Sequence, residues 1–310
     1  MNKMIDFLKL WFRAYRVPFL SASIAPVILG TAVAWYETNK FDIIVGLLAF
    51  FGAIFGHLGA NIFNDYYDHI TGNDDNNPDF TPFSGGSRMI QNGILMPDQI
   101  FRAGMTAFLI AIIIGVMLVL YIHRPALIIF GIIGIALGYT YTALPVKLVY
   151  RGLGELAIFL AFGPVTVMGA YFVQTGKISI LIFLASIPAG MMVMLILYIN
   201  EILDENADRR ANKKTIIVRV ANPIKALHLY RIIMYFITGW IIGLSVFGFF
   251  PYFSLIVLVL LPKFILIIRL SKKPFSNVKE ILPLSANTIS FQLMLTIFLA
   301  AAFVAAGLVS

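Results

Sequence analysis

Residues 179–208 read SILIFLASIPAGMMVMLILYINEILDENAD. About 20 apolar residues are enough for a helix to cross a hydrocarbon core of roughly 30 Å. This run meets that length and then ends in Asn200, Glu201, Asp204, Glu205 and Asp208. If the helix continues through its acidic end, Asn200, Asp204 and Asp208 fall at i, i+4 and i+8 and share one face. Three oxygen ligands then point the same way.

The arrangement occurs a second time. Asn64-Asp65-Tyr66-Tyr67-Asp68 closes another apolar run, with Asn64 and Asp68 on one helix face. Gly72 lets the chain turn so that Asp74 comes back towards them, with Asp75 beside it. Of the 15 acidic residues, all but seven lie in these two regions. A single carboxylate at a helix end is ordinarily just solvated. Two copies of N-x-x-x-D, each followed by a further Asp and by nearby Arg and Lys, point instead to divalent cations held at a membrane face. Magnesium prefers hard oxygen ligands, keeps several waters, and is shared between a few carboxylates and phosphate oxygens. Two facing sets suit a diphosphate bridged by more than one ion.

The rest of the chain agrees with a membrane setting. Its 310 residues are 60% hydrophobic and 12% charged, far from the composition of a soluble domain. Apolar windows near 17–37, 42–64, 101–121, 125–143, 153–173, 179–201, 228–248, 251–270 and 288–309 predict nine transmembrane helices. The expected fold is an all-α polytopic bundle forming one domain over 1–310. Because the acidic pattern recurs after four helices, 17–143 and 153–270 read as parallel repeat halves, with 288–309 added.

On alternate sides of this topology, all but three of the 23 Lys and Arg fall on one side, leaving Lys40, Arg124 and Lys177 on the other. Positive charge marks the inner face, so the N-terminus and both acidic clusters are expected in the cytoplasm and the C-terminus outside. In a prokaryote this is the inner or plasma membrane. The same rule accounts for the net charge of +8 without a nucleic-acid partner. Anionic lipid headgroups and a phosphorylated substrate are the better partners, and no obligate protein partner is inferred. The absence of cysteine excludes thiolate catalysis and thiolate metal sites. The N-terminus has no small-residue cleavage site. Ile5, Leu8, Trp11, Phe12 and Tyr15, interleaved with Lys9, Arg13 and Arg16, read as an amphipathic helix on the inner surface.

Pro26, Pro164, Pro188 and Pro262 fall inside apolar spans, where they remove backbone hydrogen bonds and bend helices, and bent helices enclose cavities. Gly131, Gly134, Gly138, Gly239 and Gly243 are expected to be helix packing contacts. The polar stretch at 65–100 is long enough to be a lid or binding loop.

These segments resemble the two aspartate-rich motifs of the UbiA superfamily of intramembrane prenyltransferases. The resemblance extends to Gly72 with Asp74, Ser84-Gly85-Gly86-Ser87-Arg88, Gly138-Tyr139-Thr140-Tyr141-Thr142, Tyr150-Arg151-Gly152-Leu153-Gly154-Glu155 and Tyr171-Phe172-Val173-Gln174-Thr175-Gly176. These details are most similar to the 1,4-dihydroxy-2-naphthoate polyprenyltransferase branch of menaquinone synthesis. The resemblance implies a central cavity open to the membrane and capped on the cytoplasmic side by the loops that follow the second and the sixth of the nine apolar windows. It implies Mg2+ held on Asn64, Asp68, Asp74, Asn200, Asp204 and Asp208, clamping a polyprenyl diphosphate whose allylic carbon is attacked by an aromatic acceptor.

Arg88, Lys147, Arg151, Lys213 and Lys214 are the candidate diphosphate-binding cations, and Tyr139 and Tyr141 candidates for shielding the developing cation. Asp65 and Asp75 either support the metal ligands or serve as a base. The chain departs from the naphthoate branch where Asn200-Glu201 replaces a frequent Asn-Asn, and where Asn212-Lys213-Lys214-Thr215 replaces Gly-Lys-Arg-Thr. The acceptor therefore stays open between dihydroxynaphthoate, 4-hydroxybenzoate and a glycerol phosphate lipid. A secondary transporter would place polar sites near the bilayer midplane in an inverted repeat. Membrane phosphotransferases acting on nucleotide-activated alcohols carry an Asp-Gly-x-x-Ala-Arg run that this chain lacks.

Overall fold

A computed structural model describes residues 2–273, 275 and 277–309. The chain is helical from end to end. After α1 (Asn2–Ala14), a 3-10 turn at Val17–Leu20 leads into α2 (Ser21–Thr38). There follow α3 (Ile43–Ile70), α4 (Pro97–Ile122), α5 (Leu127–Thr140), α6 (Gly154–Thr175), α7 (Ile180–Arg210), the short α8 (Ile216–Val220), α9 (Pro223–Val246), α10 (Tyr252–Leu270) and α11 (Leu282–Val309). The starts are chemically marked. Asp42 accepts from the Ile44 and Val45 amides at 2.9 and 3.1 Å, and Ser179, Thr215 and Asn222 cap α7, α8 and α9 in the same way.

Among the described residues, eight helical stretches are long and apolar enough to cross a membrane. The ninth expected span, at 125–143, falls short of that length: α5 there has only 14 residues and is about 21 Å long. Its ends still meet opposite ends of the bundle. Arg124, just before it, lies 3.3 Å from the Phe172 and Val173 carbonyls near the end of α6, whereas Tyr139 shares a hydrogen bond with Tyr67 near the end of α3. The other notable lengths run the opposite way: α3 has 28 residues and α7 has 31. At 1.5 Å per residue both outrun a core of about 30 Å, so their acidic ends stand beyond the apolar layer.

The largest core joins α2, α6, α7, α9, α10 and α11 through Leu29, Val33, Met192, Tyr198, Tyr230, Phe291 and Phe303. Its buried hydroxyls are paired: Tyr198 donates to the Ala226 carbonyl at 2.9 Å, and Tyr230 meets Thr288 at 2.7 Å. Small residues set the closest helix approach, as expected where lipid gives no hydrophobic drive between helices. A Cβ on Gly190 would stand 2.5 Å from the Phe159 carbonyl, and one on Gly163 would stand 2.9 Å from the Gly190 Cα. The expected packing role holds for Gly138, whose Cβ would meet Ala60 at 3.2 Å, but not for Gly131, Gly239 or Gly243, which have nothing within 4 Å. Pro164 sits in a single π turn at Ala161–Val165. Pro262 starts an α-helical segment after a 3-10 stretch and does not interrupt a continuous helix.

Candidate functional site

A cavity of about 950 Å³ runs along the inside of α3, α4, α5, α6 and α7. At one end it is lined by Asn64, Asp68, Asp74, Asn200, Glu201, Asp204, Asp208 and Lys213, and it continues past Tyr139 to Leu118, Leu127 and Phe130. Helical spacing explains the polar end. Asn64 and Asp68 on α3, and Asn200, Asp204 and Asp208 on α7, project from single faces that the two helices turn towards each other.

The loop after α3 completes this end. Gly72 takes φ +73°, and Asp74 folds back so that its amide donates to the Asp68 carbonyl at 3.3 Å. Gly86 takes φ +72°, and a Cβ there would lie 2.2 Å from Asp74 Oδ2. Only glycine allows the backbone to approach that carboxylate. The loop then binds both clusters: Ser87 donates its amide to Asp65 at 3.0 Å, Asn77 donates to Asp204 at 2.8 Å, and the Gly85 amide donates to Asp204 at 3.3 Å. Asn64 donates to Asp68 Oδ2 at 3.0 Å.

Lys213 enters from the segment between α7 and α8. Its Nζ lies 3.0 Å from Asp68 Oδ2 and 3.5 Å from Asp208 Oδ1. Burial works against its charge, but Asp68 and Asp208 prevail and hold the ammonium well above the ordinary lysine range. Asp74 goes the other way: burial, with Asp68 and Asp65 close by, pushes its carboxyl well above the usual carboxylate range. Two oxygens, Asp65 Oδ1 and Asp68 Oδ1, are buried with no hydrogen-bond donor among the described residues. A converging, oxygen-only donor set with bare carboxylate oxygens suits a hard divalent cation.

The sequence pattern of the UbiA prenyltransferase family matches residues 23–282. The chain belongs to the UbiA prenyltransferase family. It is 30% identical over 234 residues to the 1,4-dihydroxy-2-naphthoate octaprenyltransferase of Bacillus subtilis, covering 74% of this chain and 71% of that protein. The enzyme of the same name from Escherichia coli is 29% identical over 250 residues, covering 79% and 78%. Among solved structures, a UbiA homologue from Archaeoglobus fulgidus bound to GPP and Mg2+ superposes with a TM-score of 0.66 at 12% identity, covering 93% of this chain and 99% of that one. An apo UbiA homologue from Aeropyrum pernix gives 0.64 at 15% identity, covering 91% and 97%. The protein is thus a prenyltransferase with the UbiA fold.

In this UbiA member the sequence candidates separate. Asn200 lines the cavity while its Oδ1 accepts from Ser285 at 2.7 Å. Tyr139 and Tyr141 both line it, Tyr139 paired to Tyr67 at 2.9 Å. Of the five cations only Lys213 reaches the cavity wall. Arg88 donates to the Asp74 carbonyl and stacks 4.6 Å from the Phe80 ring centre, so it braces the loop. Lys147 lies over the Tyr150 ring at 4.8 Å, and Arg151 and Lys214 are exposed. Asp75 is exposed and paired with His69 at 2.9 Å, whereas Asp65 is buried near Arg16.

Sequence reasoning left out several cavity residues of this UbiA protein: Arg16, Ser23, His57, Asn61 and Glu201. The signal for two of them was present, because His57 and Asn61 precede Asn64 by seven and three residues and so share its face. His57 Nδ1 lies 3.1 Å from Ser23 Oγ. Nothing local marks Arg16, which arrives only because the chain folds back after α1.

Proposed function

We propose that the protein transfers a polyprenyl group from its diphosphate to an aromatic acceptor, with 1,4-dihydroxy-2-naphthoate the favoured acceptor and Mg2+ the cofactor. The observation that carries this reading is the continuity of one cavity from the acidic cluster to an apolar interior. A charged diphosphate and a long isoprenoid tail need those two environments joined.

Asn64, Asp68, Asp74, Asn200, Asp204 and Asp208 would hold the metal. When bound, it neutralises the diphosphate and so eases its departure. Lys213 is fixed by Asp68 and Asp208 beside the place where that charge develops, which is the geometry of preorganised electrostatic stabilisation. The bond between the allylic carbon and the diphosphate oxygen breaks, and its electron pair leaves with the diphosphate. The acceptor ring supplies the pair for the new carbon–carbon bond. With a naphthoate, the carboxylate departs as carbon dioxide and returns its bonding pair to the ring. Tyr139 and Tyr141 line the cavity, where aromatic rings would stabilise positive carbon and exclude water.

The inward placement of this end rests on its basic surroundings. Arg16 and Lys213 line the cavity with the clusters, while Arg124 lies at the opposite end of α5. The test is to incubate purified protein with Mg2+, a labelled polyprenyl diphosphate and separately dihydroxynaphthoate, 4-hydroxybenzoate and a glycerol phosphate lipid. Prenylated naphthoate is the expected product. Transfer to either other acceptor in preference reassigns the substrate, and absence of diphosphate release with all three overturns the reading.

A further inference from the structure

Glu201 is the one cavity carboxylate that the metal cluster does not use. It is 4% exposed, lines the cavity, and neither of its carboxyl oxygens has a hydrogen-bond donor among the described residues. Glu155 lies within hydrogen-bond reach, but as an acceptor whose Oε1 already takes the Ile216 amide it can only receive from Glu201 and supplies no donor, and Lys213 is engaged with Asp68 and Asp208. Glu155 does not line the cavity, so of this buried pair only Glu201 faces a ligand. A buried polar group without a partner costs about 1–3 kcal/mol, more when charged, and such a group facing a cavity is completed by a ligand that supplies the donor.

The position narrows that ligand. Glu201 follows Asn200 and precedes Asp204 by one helical turn on the same α7 wall, so its oxygens sit where the metal cluster gives way to the apolar cavity. There the allylic carbon and the acceptor ring must meet. A diphosphate has no donor to give, and an isoprenoid tail has no polar atom. An aromatic acceptor with a free ring hydroxyl has the donor required.

We propose that Glu201 selects the acceptor by receiving one of its ring hydroxyls, an inference that rests on the transferase function above. Glu201 is therefore a specificity residue of this chain. Sites built to bind a substrate hydroxyl reject analogues lacking it far more strongly than apolar pockets reject size changes.

The experiment compares wild type, E201Q, E201L and E201A, reconstituted with Mg2+ and a polyprenyl diphosphate, on a hydroxylated naphthoate acceptor and its methyl ether. Wild type is expected to favour the free hydroxyl by about 100-fold or more in kcat/KM. E201L is expected to raise acceptor KM about 10-fold and to cut that preference below about 10-fold, with the KM for prenyl diphosphate and the Mg2+ half-saturation unchanged. E201Q keeps an acceptor oxygen and is expected to stay within about 3-fold of wild type in acceptor KM, and E201A carries the test if E201L does not fold. Wild-type acceptor KM and ether discrimination in E201L or E201A would show that the carboxyl serves only Glu155 and would overturn the proposal. A parallel shift in Mg2+ half-saturation would make Glu201 a metal ligand and overturn it equally. If wild type itself transfers to no aromatic acceptor, the function above fails first, and this inference falls with it.

Discussion

Lys213 Nζ stands 3.0 Å from Asp68 Oδ2 across 145 positions of sequence, and 3.5 Å from Asp208 Oδ1, so one ammonium joins the acidic end of α3 to that of α7. Removing one partner of a buried ion pair leaves the other uncompensated, at a cost of about 3–5 kcal/mol. Lys213→Met is therefore expected to lower the melting temperature in chelator and to recover part of the loss when Mg2+ takes over the charge of Asp68 and Asp208. It is also expected to lower kcat by about 100-fold, the usual loss for one preorganised charge donor. Thermal unfolding in detergent with and without Mg2+, alongside steady-state kinetics, checks both.

Asp68 and Asp204 are each engaged by groups from elsewhere in the chain, Lys213 in one case and Asn77 with Gly85 in the other. Asp68→Ala and Asp204→Ala are expected to abolish turnover while leaving a folded protein, read by size-exclusion profile and product formation. Full activity in either would contradict the metal assignment.

Gly86 is expected to tolerate no side chain. A Cβ would press on Asp74 Oδ2 at 2.2 Å, and the residue already holds φ +72°, which costs a non-glycine residue about 1 kcal/mol or more. Gly86→Ala should raise the Mg2+ half-saturation about 10-fold or more without unfolding the bundle. A magnesium titration of activity shows this directly.

Acid and magnesium compete at Asp74. Burial, then Asp68 and Asp65, raise its folded pKa above the unfolded value, so its contribution to the stability of the metal-free protein is fully present below the unfolded pKa and is lost as pH rises through the folded one. Magnesium binds the ionised form and restores what that ionisation costs. The rise in melting temperature on adding Mg2+ should therefore be larger near pH 8 than near pH 5.5. An equal rise at both would show that Asp74 is not titrating against the ion.

Gly131 has open space where a Cβ would go and lines the cavity beyond Tyr139. Gly131→Phe is expected to fill that space and cut kcat/KM for long polyprenyl diphosphates by about 10-fold, with a change of less than about 2-fold for geranyl diphosphate. A donor-length series measures it. Equal losses at every length would place the tail elsewhere.

The helices were legible because their signals are local. Apolar run length marked the eight long apolar stretches, and i, i+4 spacing put Asn64 with Asp68 on α3 and Asn200 with Asp204 and Asp208 on α7 at one cavity wall, along with the return of Asp74 at Gly72. Stretch 65–100 was legible as a long polar connection but not in its attachments. That Asn77 and Gly85 hold Asp204, while Arg88 braces the Asp74 backbone and does not reach the cavity, depends on contacts over a hundred residues or on loop backbone geometry. The five candidate cations looked alike in sequence, and only the path of the chain after α7 brings Lys213 alone to the cavity wall. Glycines read as packing contacts because small residues commonly pack, yet Gly131 faces empty space.

By itself the sequence determined a helical membrane bundle with two oxygen-rich helix ends, because hydrophobic length and helical periodicity act within a few turns of one chain segment. Tertiary structure alone decided which of those oxygens are tied by Lys213, which are left bare, where the cavity runs, and that Glu201 faces it without a donor. Those outcomes are set by how distant segments meet, and burial away from water is what gives each of those meetings its energy.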